Sequence, residues 1–219
     1  MKERPILFSA PMVQALLDGR KTQTRRVVKL RGKDGVQATH DCWRYLETDS
    51  LTGNQADRRN GGMHLWQHRT DIARLIEERC PYGQPGDRLW VRETHLRATA
   101  DEIHFRADGD FPEGAAKMLG GWRPSIFMPR KFSRILLEIT AVRAERLQDI
   151  SEADCYAEGV EHDHSEIDHI YWVGDYFGEI QTLESAVACY KILWETINGA
   201  GSWDANPFVW AIEFKRIGQ

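Results

Sequence analysis

The 219-residue sequence lacks any apolar run close to the roughly 20 residues that a helix needs to cross a bilayer. Its N-terminus, MKERPILFSAP, has neither a long apolar stretch nor a cleavage site of small residues, which predicts no signal peptide. We therefore expect a cytoplasmic protein with no membrane partner. Cysteine is scarce, and the four cysteines form no CxxC pair, so free thiols are expected rather than a disulfide framework.

Positive charge is not in excess, since 33 Asp and Glu face 29 Lys and Arg for a formal charge of −4. A general nucleic-acid binder usually has a strongly basic balance. Any contact with RNA would therefore have to rest on a local basic patch, and we expect it to be weak.

Several motifs of common enzyme classes are also missing. The sequence has no GxGxxG, Walker A, GxSxG or HExxH motif, so dinucleotide redox chemistry, nucleoside-triphosphate hydrolysis and serine hydrolysis lose their usual support. The nearest metal-ligand pairs lack the spacing of structural zinc sites: His40 with Cys42, His64 with His68, and His162 with His164. We expect neither a metal nor a cofactor.

The chain does have a mixture of helix and strand patterns. Alternating or β-branched residues predict strands over 5–8, 88–96, 102–106, 134–146 and 207–217. Apolar spacing and capping residues predict a helix from Ser9 to Gly19 and others over 70–79, 151–158 and 183–197. With no repeat and no linker, the sequence predicts one α+β domain over 1–219, compatible with a small, partly open β-barrel. Loop-rich insertions are expected at about 31–80 and 160–182.

The densest polar cluster is the run GRKTQTRR at 19–26. It is consistent with a solvated basic loop after a helix, where the helix dipole favours cations. It is also consistent with an anion or nucleic-acid contact, or with a lysine that acts as nucleophile or base beside a hydroxyl. A catalytic lysine needs its pKa lowered from about 10.4, by burial or by neighbouring cations. As a loop residue, Lys21 is expected to contribute little to stability.

Two acids elsewhere in the sequence are further candidates for the site. Glu158 ends the predicted short helix, where the helix dipole disfavours an acid, which points to a further role. Glu93 follows Trp90 and Arg92 in the strand RLWVRETH, and the pattern leaves open which way it faces.

The run at 19–26 resembles the GRKTxTxR signature of the ASCH-domain family, small domains with a PUA-like β-barrel. Three further blocks agree in order with that family: PGDRLWV at 85–91, LQDISEADCYAEG at 147–159, and FVWAIEFK at 208–215. The whole chain is similar to the longer ASCH proteins of phages and prophages, and its insertions are larger than those of the smallest members.

Some small bacterial ASCH proteins are amidohydrolases that convert N4-acetylcytidine to cytidine and acetate. The resemblance implies the same metal-independent activity on a nucleoside here, with Lys21 as nucleophile or base and Thr24 as its orienting or oxyanion-binding hydroxyl. Glu158 would carry the proton to the leaving amine. We take as substrate-binding candidates Arg26, Trp90, Arg92 and Glu93.

Two rival functions remain. The chain could be an RNA-binding or RNA-cleaving module that uses the basic edge formed by Arg20, Lys21, Arg25 and Arg26, or a phage interaction protein without catalysis. A nucleoside-sized pocket that holds Lys21, Thr24 and Glu158 would favour the enzyme. An open basic groove with exposed aromatic residues would favour RNA.

Overall fold

The computed structural model describes residues 1–29, 80–99, 102–109, 111–162 and 185–218, and five short strands or strand ends by their backbone alone, at 43–45, 62–67, 75–79, 163 and 170–172. In chain order the elements are β1 (Glu3–Leu7), α1 (Ala10–Leu17), β2 (Gln23–Val27), β3 (Trp43–Tyr45), β4 (Gly62–Gln67), β5 (Leu75–Arg79), β6 (Arg88–Arg92), β7 (His95–Arg97), β8 (Ile103–Phe105), α2 (Glu113–Met118), β9 (Leu136–Arg146), α3 (Glu152–Ala157), β10 (Glu161–Asp163), β11 (Ile170–Trp172), α4 (Ala186–Asn198) and β12 (Phe208–Arg216).

The centre of this α+β fold is a five-stranded sheet in the order β1-β6-β9-β12-β2. Strands β1 and β6 pair in parallel, and the other neighbours pair antiparallel. The long strands β9 and β12 are the strands that the sequence predicts at 134–146 and 207–217. The first five residues of β12 are all buried, so both faces of this part of the strand are covered, which the alternation expected from the sequence does not show.

The two edges of this sheet, β1 and β2, approach each other in space. Within the described residues no backbone ladder joins them, so the sheet is open. A side chain spans the gap instead, because Arg26 Nη2 on β2 donates to the carbonyl oxygen of Leu7 on β1 at 2.7 Å. The fold is therefore a curled, open sheet with a gap between its edge strands.

Helices α1, α3 and α4 surround this gap and complete the core. Helix α1 begins after Ser9 with Pro11 in its first turn, and it buries Met12, Val13 and Leu16. Helix α4 begins at the cap Ser185, whose hydroxyl accepts from the N–H of Ala188. Helices α3 and α4 pack against each other, and α3 also contacts β2. In the described part of the chain, no helix is long and apolar enough to cross a membrane.

The turn before β6, in the block PGDRLWV, anchors the start of the chain. The carboxylate of Asp87 accepts from the backbone N–H of Lys2 at 2.7 Å and from Arg4 Nη1 at 3.0 Å. Burial opposes ionisation of Asp87, but these hydrogen bonds outweigh it and lower its pKa. The PGD block therefore fixes β1 beside β6 and has a structural role.

Some elements differ from the sequence-based expectation. The predicted helix over 70–79 is wrong in its second half, where β5 pairs with β4 in a three-stranded sheet; residues 70–74 lie outside the described part. The predicted insertion at 160–182 contains the antiparallel pair β10-β11, and helix α2 lies in a segment for which the sequence predicts no element. Short strands in these segments obtain their hydrogen bonds from partners distant in sequence, which local periodicity does not report.

Candidate active site

A cleft of about 540 Å³ lies in the gap between the sheet edges, within the usual range of ligand pockets. Strand β2 and the loop before it line it with Lys21, Thr24, Arg25 and Arg26. Glu158 at the end of α3 lines it as well. The remaining walls come from the β1–α1 junction, from the C-terminal half of α4, and from Tyr82, Thr94 and Ser125.

Local backbone structure places Lys21 in this cleft. Helix α1 ends at Gly19, whose φ of +77° is the left-handed conformation that glycine adopts without strain. The chain then turns back, and the N–H of Lys21 donates to the carbonyl of Ala15 at 3.0 Å. The next N–H, of Thr22, donates to the carbonyl of Ala157 and thereby joins the loop to α3.

Glu158 meets Lys21 because of the way α3 begins and ends. The helix starts with a capping box between Ser151 and Asp154, and Glu158 is the C-terminal cap residue that follows it, before Gly159 turns with a φ of +103°. Lys21 Nζ donates to the carboxylate Oε2 of Glu158 at 2.8 Å and to its backbone oxygen at 2.7 Å. Both side chains are almost completely buried.

Burial has a direct consequence for the charge of Lys21. Desolvation is the main cause that lowers the pKa of Lys21, while the charge of Glu158 and its hydrogen bond oppose it. The positive charges of Arg26 and Arg25 lower that pKa further. Lys21 therefore loses its proton more readily than an exposed lysine does. The same burial argues against the expectation that Lys21 contributes little to stability.

Arg25 holds the other oxygen of Glu158. Its Nη1 donates to Oε1 of Glu158 at 3.3 Å, and its Nη2 and Nε also bind Asp154 at 3.0 Å and Glu145 at 2.9 Å. Arg143 closes the network by binding both of these acids. Desolvation would raise the pKa of Asp154, but the two arginines lower it to about 2. The network fixes Glu158 so that Oε2 faces Lys21.

Thr24 lines the same cleft from β2, where it pairs with Ile212 of β12. It is 4% exposed, and its hydroxyl makes no hydrogen bond to another residue of the described ranges. The structure therefore brings Lys21, Thr24 and Glu158 together in one cleft, as the resemblance implies, with a hydroxyl available for a ligand.

The four substrate-binding candidates separate into two groups. Arg26 lines the cleft, and its guanidinium lies 5.2 Å from the ring centroid of Phe8. The other three candidates are not among the described residues that line the cleft: Trp90, Arg92 and Glu93. The guanidinium of Arg92 stacks on the indole of Trp90 at 4.7 Å.

Glu93 belongs to a separate buried ion cluster. Its carboxylate binds Arg134 at 2.8 Å, and Arg134 also binds Asp108 at 2.7 Å. Burial raises the pKa of Glu93 against the lowering effect of Arg134. The strand alternation in RLWVRETH could not show that Glu93 faces this cluster, because the partners are distant in sequence.

The basic run at 20–26 does not form an exposed patch. Arg20 binds Asp18 and Glu161, Arg25 has a fully buried side chain among three carboxylates, and Arg26 binds Leu7. Each of these three arginines therefore has a hydrogen-bond partner within the protein. An open basic groove made of these residues, which the RNA hypothesis needs, is absent from the described part of the chain.

Sequence reasoning missed the aromatic wall on α4. Tyr190 and Trp194 line the cleft one helical turn apart, with ring centroids 6.3 Å apart. Burial foremost, and then the charge of Glu158, raises the pKa of Tyr190 well above 10, so the phenol stays a hydrogen-bond donor. The i, i+4 spacing of Tyr190 and Trp194 in the sequence ACYKILW could have indicated that both rings lie on one face of the helix.

Metal ligands are not clustered in the described residues, since no group of three or more His, Cys, Asp or Glu side chains there has the arrangement to hold a metal ion. His40, Cys42, His68 and His164 lie outside the described residues. The described acids of the cleft are instead neutralised by lysine and arginine.

No family model, no curated protein and no solved structure matches this chain.

Proposed function

We propose that the protein is an amidohydrolase of the ASCH family, with a PUA-like fold, that removes the acyl group from an N4-acetylcytidine-type nucleoside. One observation carries the proposal: Lys21 and Glu158 form a buried pair, 2.8 Å apart, in a cleft that Thr24 also lines. A buried amine with a lowered pKa beside a carboxylic acid is suited to general acid–base catalysis.

The fold supports the family assignment through the positions of the resembling blocks. The 19–26 block supplies Lys21 and β2, the 147–159 block supplies Glu158, and the 208–215 block forms β12, which pairs with β2. The gap between β1 and β2 is where a PUA-like barrel would close, and the cleft occupies it. Blocks that are far apart in sequence thus build one site.

Lys21 is assigned the role of general base. As a neutral amine it donates both hydrogens to acceptors on Glu158, which leaves its lone pair for a water in the cleft. Lys21 takes a proton from that water, and the hydroxide adds to the acyl carbon. The Thr24 hydroxyl donates to the oxyanion that forms.

Glu158 completes the proton balance. The proton taken by Lys21 passes to Oε2 of Glu158, 2.8 Å from Nζ, and from there to the exocyclic nitrogen of the base. The C–N bond then breaks, and acetate and cytidine leave. The pyrimidine ring delocalises the charge of the leaving amine, which lowers the demand on the acid.

The paired basic residues favour this enzyme over the RNA-binding alternative. RNA affinity depends on cations that can release counterions from phosphates. Here the arginines at 20, 25 and 26 already have protein partners. We expect affinity for generic RNA to be no better than about micromolar at physiological salt.

The test is incubation with N4-acetylcytidine, with cytidine release followed by chromatography and RNA cleavage assayed in parallel. The wild type should release cytidine. Lys21→Arg keeps the charge but cannot supply a neutral base, so turnover should fall by about 10²- to 10⁴-fold. Glu158→Gln should lose a similar factor, because an amide cannot carry the proton.

The matched control is Lys191→Arg, at a lysine on α4 that pairs with Asp204 outside the cleft. It should retain wild-type turnover. Circular dichroism must show that each variant is folded. A folded Lys21→Arg variant with near wild-type turnover would refute the mechanism, and RNA cleavage without cytidine release would replace the proposal with its rival.

A further inference from the structure

Helix α4 presents a stripe of hydrogen-bonding side chains to the cleft. Tyr190, Trp194 and Asn198 are spaced four residues apart and all line it. Such spacing places side chains above one another on one face of a helix. Leu193 and Ile197 line the cleft beside them and make this wall partly apolar.

Trp194 has a donor without a partner in the described part of the chain. The residue is only 4% exposed, and its indole Nε1–H is buried and makes no hydrogen bond to a described residue. Its carbonyl, by contrast, accepts from Asn198 Nδ2 at 3.0 Å. Buried donors are nearly always paired in folded proteins, because an unpaired one forfeits its bond to water. Since Trp194 also lines the cleft, a ligand bound there can supply the acceptor.

We propose that Trp194 determines substrate specificity by donating its Nε1–H to a ring carbonyl of the bound base. This inference rests on the proposed function, since the C2 carbonyl of cytosine is an acceptor of the required kind. The ligand class is a planar heterocycle that carries a carbonyl oxygen. Phe8 and Met12 line the cleft on the β1–α1 side and offer apolar contact to such a ring.

The surroundings make this single hydrogen bond discriminating. A base that lacks the carbonyl would leave the indole donor unpaired in a partly apolar site. Sites built around a buried hydrogen bond reject analogues without the partner more strongly than apolar pockets reject a missing methylene. Trp194 would therefore act on binding, while Lys21 and Glu158 act on the chemical step.

The experiment measures cytidine binding, which needs no turnover. In the wild type, the assigned indole N–H resonance of Trp194 is followed in ¹H–¹⁵N spectra during titration with cytidine, and Kd is measured by calorimetry. We expect a downfield shift of this resonance. Trp194→Phe should weaken binding by about three- to tenfold, the range for one neutral hydrogen bond.

The chain offers a matched control in Trp122. Its Nε1 is likewise buried and has no partner among the described residues, but Trp122 does not line the cleft and contacts Phe111. Trp122→Phe should bind cytidine as the wild type does. An unshifted Trp194 resonance at saturation, an absence of cytidine binding, or equal Kd values for Trp194→Phe and wild type would each overturn the inference.

The two proposals fail separately. Hydrolysis of N4-acetylcytidine with an unchanged KM in Trp194→Phe would leave the enzyme in place and remove the role of Trp194. Cytidine binding with a shifted Trp194 resonance, without any hydrolysis, would remove the enzyme and keep the binding site. The wild-type resonance decides the question if Trp194→Phe does not fold.

Discussion

The buried pair of Lys21 and Glu158 makes a quantitative prediction for stability. At a separation of 2.8 Å, the Coulomb attraction of two unit charges is about 6 kcal/mol for an effective dielectric constant of about 20. Desolvation of both charges offsets much of this attraction. The net value of the pair is therefore best measured as a coupling between the two residues.

We expect the two single variants to differ in cost. Lys21→Met leaves Oε2 and the backbone oxygen of Glu158 without the amine, while Arg25 still contacts only Oε1, so the free energy of unfolding should fall by about 3–5 kcal/mol. In Glu158→Gln, Lys21 keeps the backbone carbonyl of residue 158 and is able to release its proton. That variant should cost about 1–3 kcal/mol.

The double variant gives the coupling energy, for which we expect about 2 kcal/mol, from urea unfolding at pH 7 followed by circular dichroism. The control cycle uses Lys215→Met and Glu138→Gln, a cross-strand pair 3.1 Å apart in which the lysine is well exposed. Its coupling should stay below about 1 kcal/mol. Equal couplings in the two cycles would refute the claim that the Lys21–Glu158 pair is desolvated.

Three further predictions concern pH and the backbone. Burial first, and then two neighbouring arginines, lower the pKa of Lys21 below 10.5, so kcat/KM for N4-acetylcytidine should rise about tenfold per pH unit and level off below that value. A plateau at or above it would contradict the neutral-amine mechanism. The pKa of Asp154 is lowered to about 2 from an unfolded value of about 3.9, so its stabilising effect is present above about pH 4 and is lost as pH falls towards 2. Between about pH 5 and 2, the urea midpoint of Asp154→Asn should therefore fall less than that of the wild type, and parallel curves would contradict this. Gly159→Ala should lower the free energy of unfolding by about 1–3 kcal/mol, because residue 159 has a φ of +103°. Gly114→Ala in α2, where an added Cβ meets nothing within 4 Å, should be neutral or stabilising. Equal thermal midpoints for the two variants would contradict the strain at residue 159.

The sequence predicts the elements whose signals are local. Helices α1, α3 and α4 are marked by Ser caps and by glycines or Asn-Gly at their ends, and their bounds agree with prediction to within a few residues. Strand β9 is recognised as a run of apolar and β-branched residues, and β12 as an alternating strand. The order of the sheet is not predictable in this way, because the parallel pairing of β1 with β6 depends on the anchor that Asp87 provides to Lys2 and Arg4.

The segment 70–79 shows where periodicity misleads. Ile72, Leu75 and Ile76 have the spacing of a helix face, yet β5 begins at Leu75. Over five residues, an apolar pattern fits either structure, and pairing with β4 decides between them. The partner strand is supplied by residues 62–67, whose own pattern gives no strong signal.

The candidate site was predictable only in part. Motif resemblance identifies Lys21, Thr24 and Glu158, and their convergence in one cleft follows from the fold. Residue types alone did not distinguish the cleft residue Arg26 from Trp90, which lies elsewhere. Arg25 was also read only as part of a basic run, because its three carboxylate partners are more than a hundred residues away.

The contrast between Arg25 and an exposed arginine explains why a basic run is a poor guide to function by itself. Whether such a run binds RNA depends on whether its cations remain available, and that depends on acids elsewhere in the chain. Here Glu145 lies on β9, which is separated from β2 by β12, while Asp154 and Glu158 come from α3 and the residue that follows it, and α3 packs against β2. The charges that would attract a phosphate in an open loop instead hold one carboxylate in place and lower the pKa of one lysine. A cluster whose sequence is consistent with a nucleic-acid contact forms, in the folded chain, a buried network of ion pairs around Lys21 and Glu158, and the proposed acid–base chemistry depends on that network.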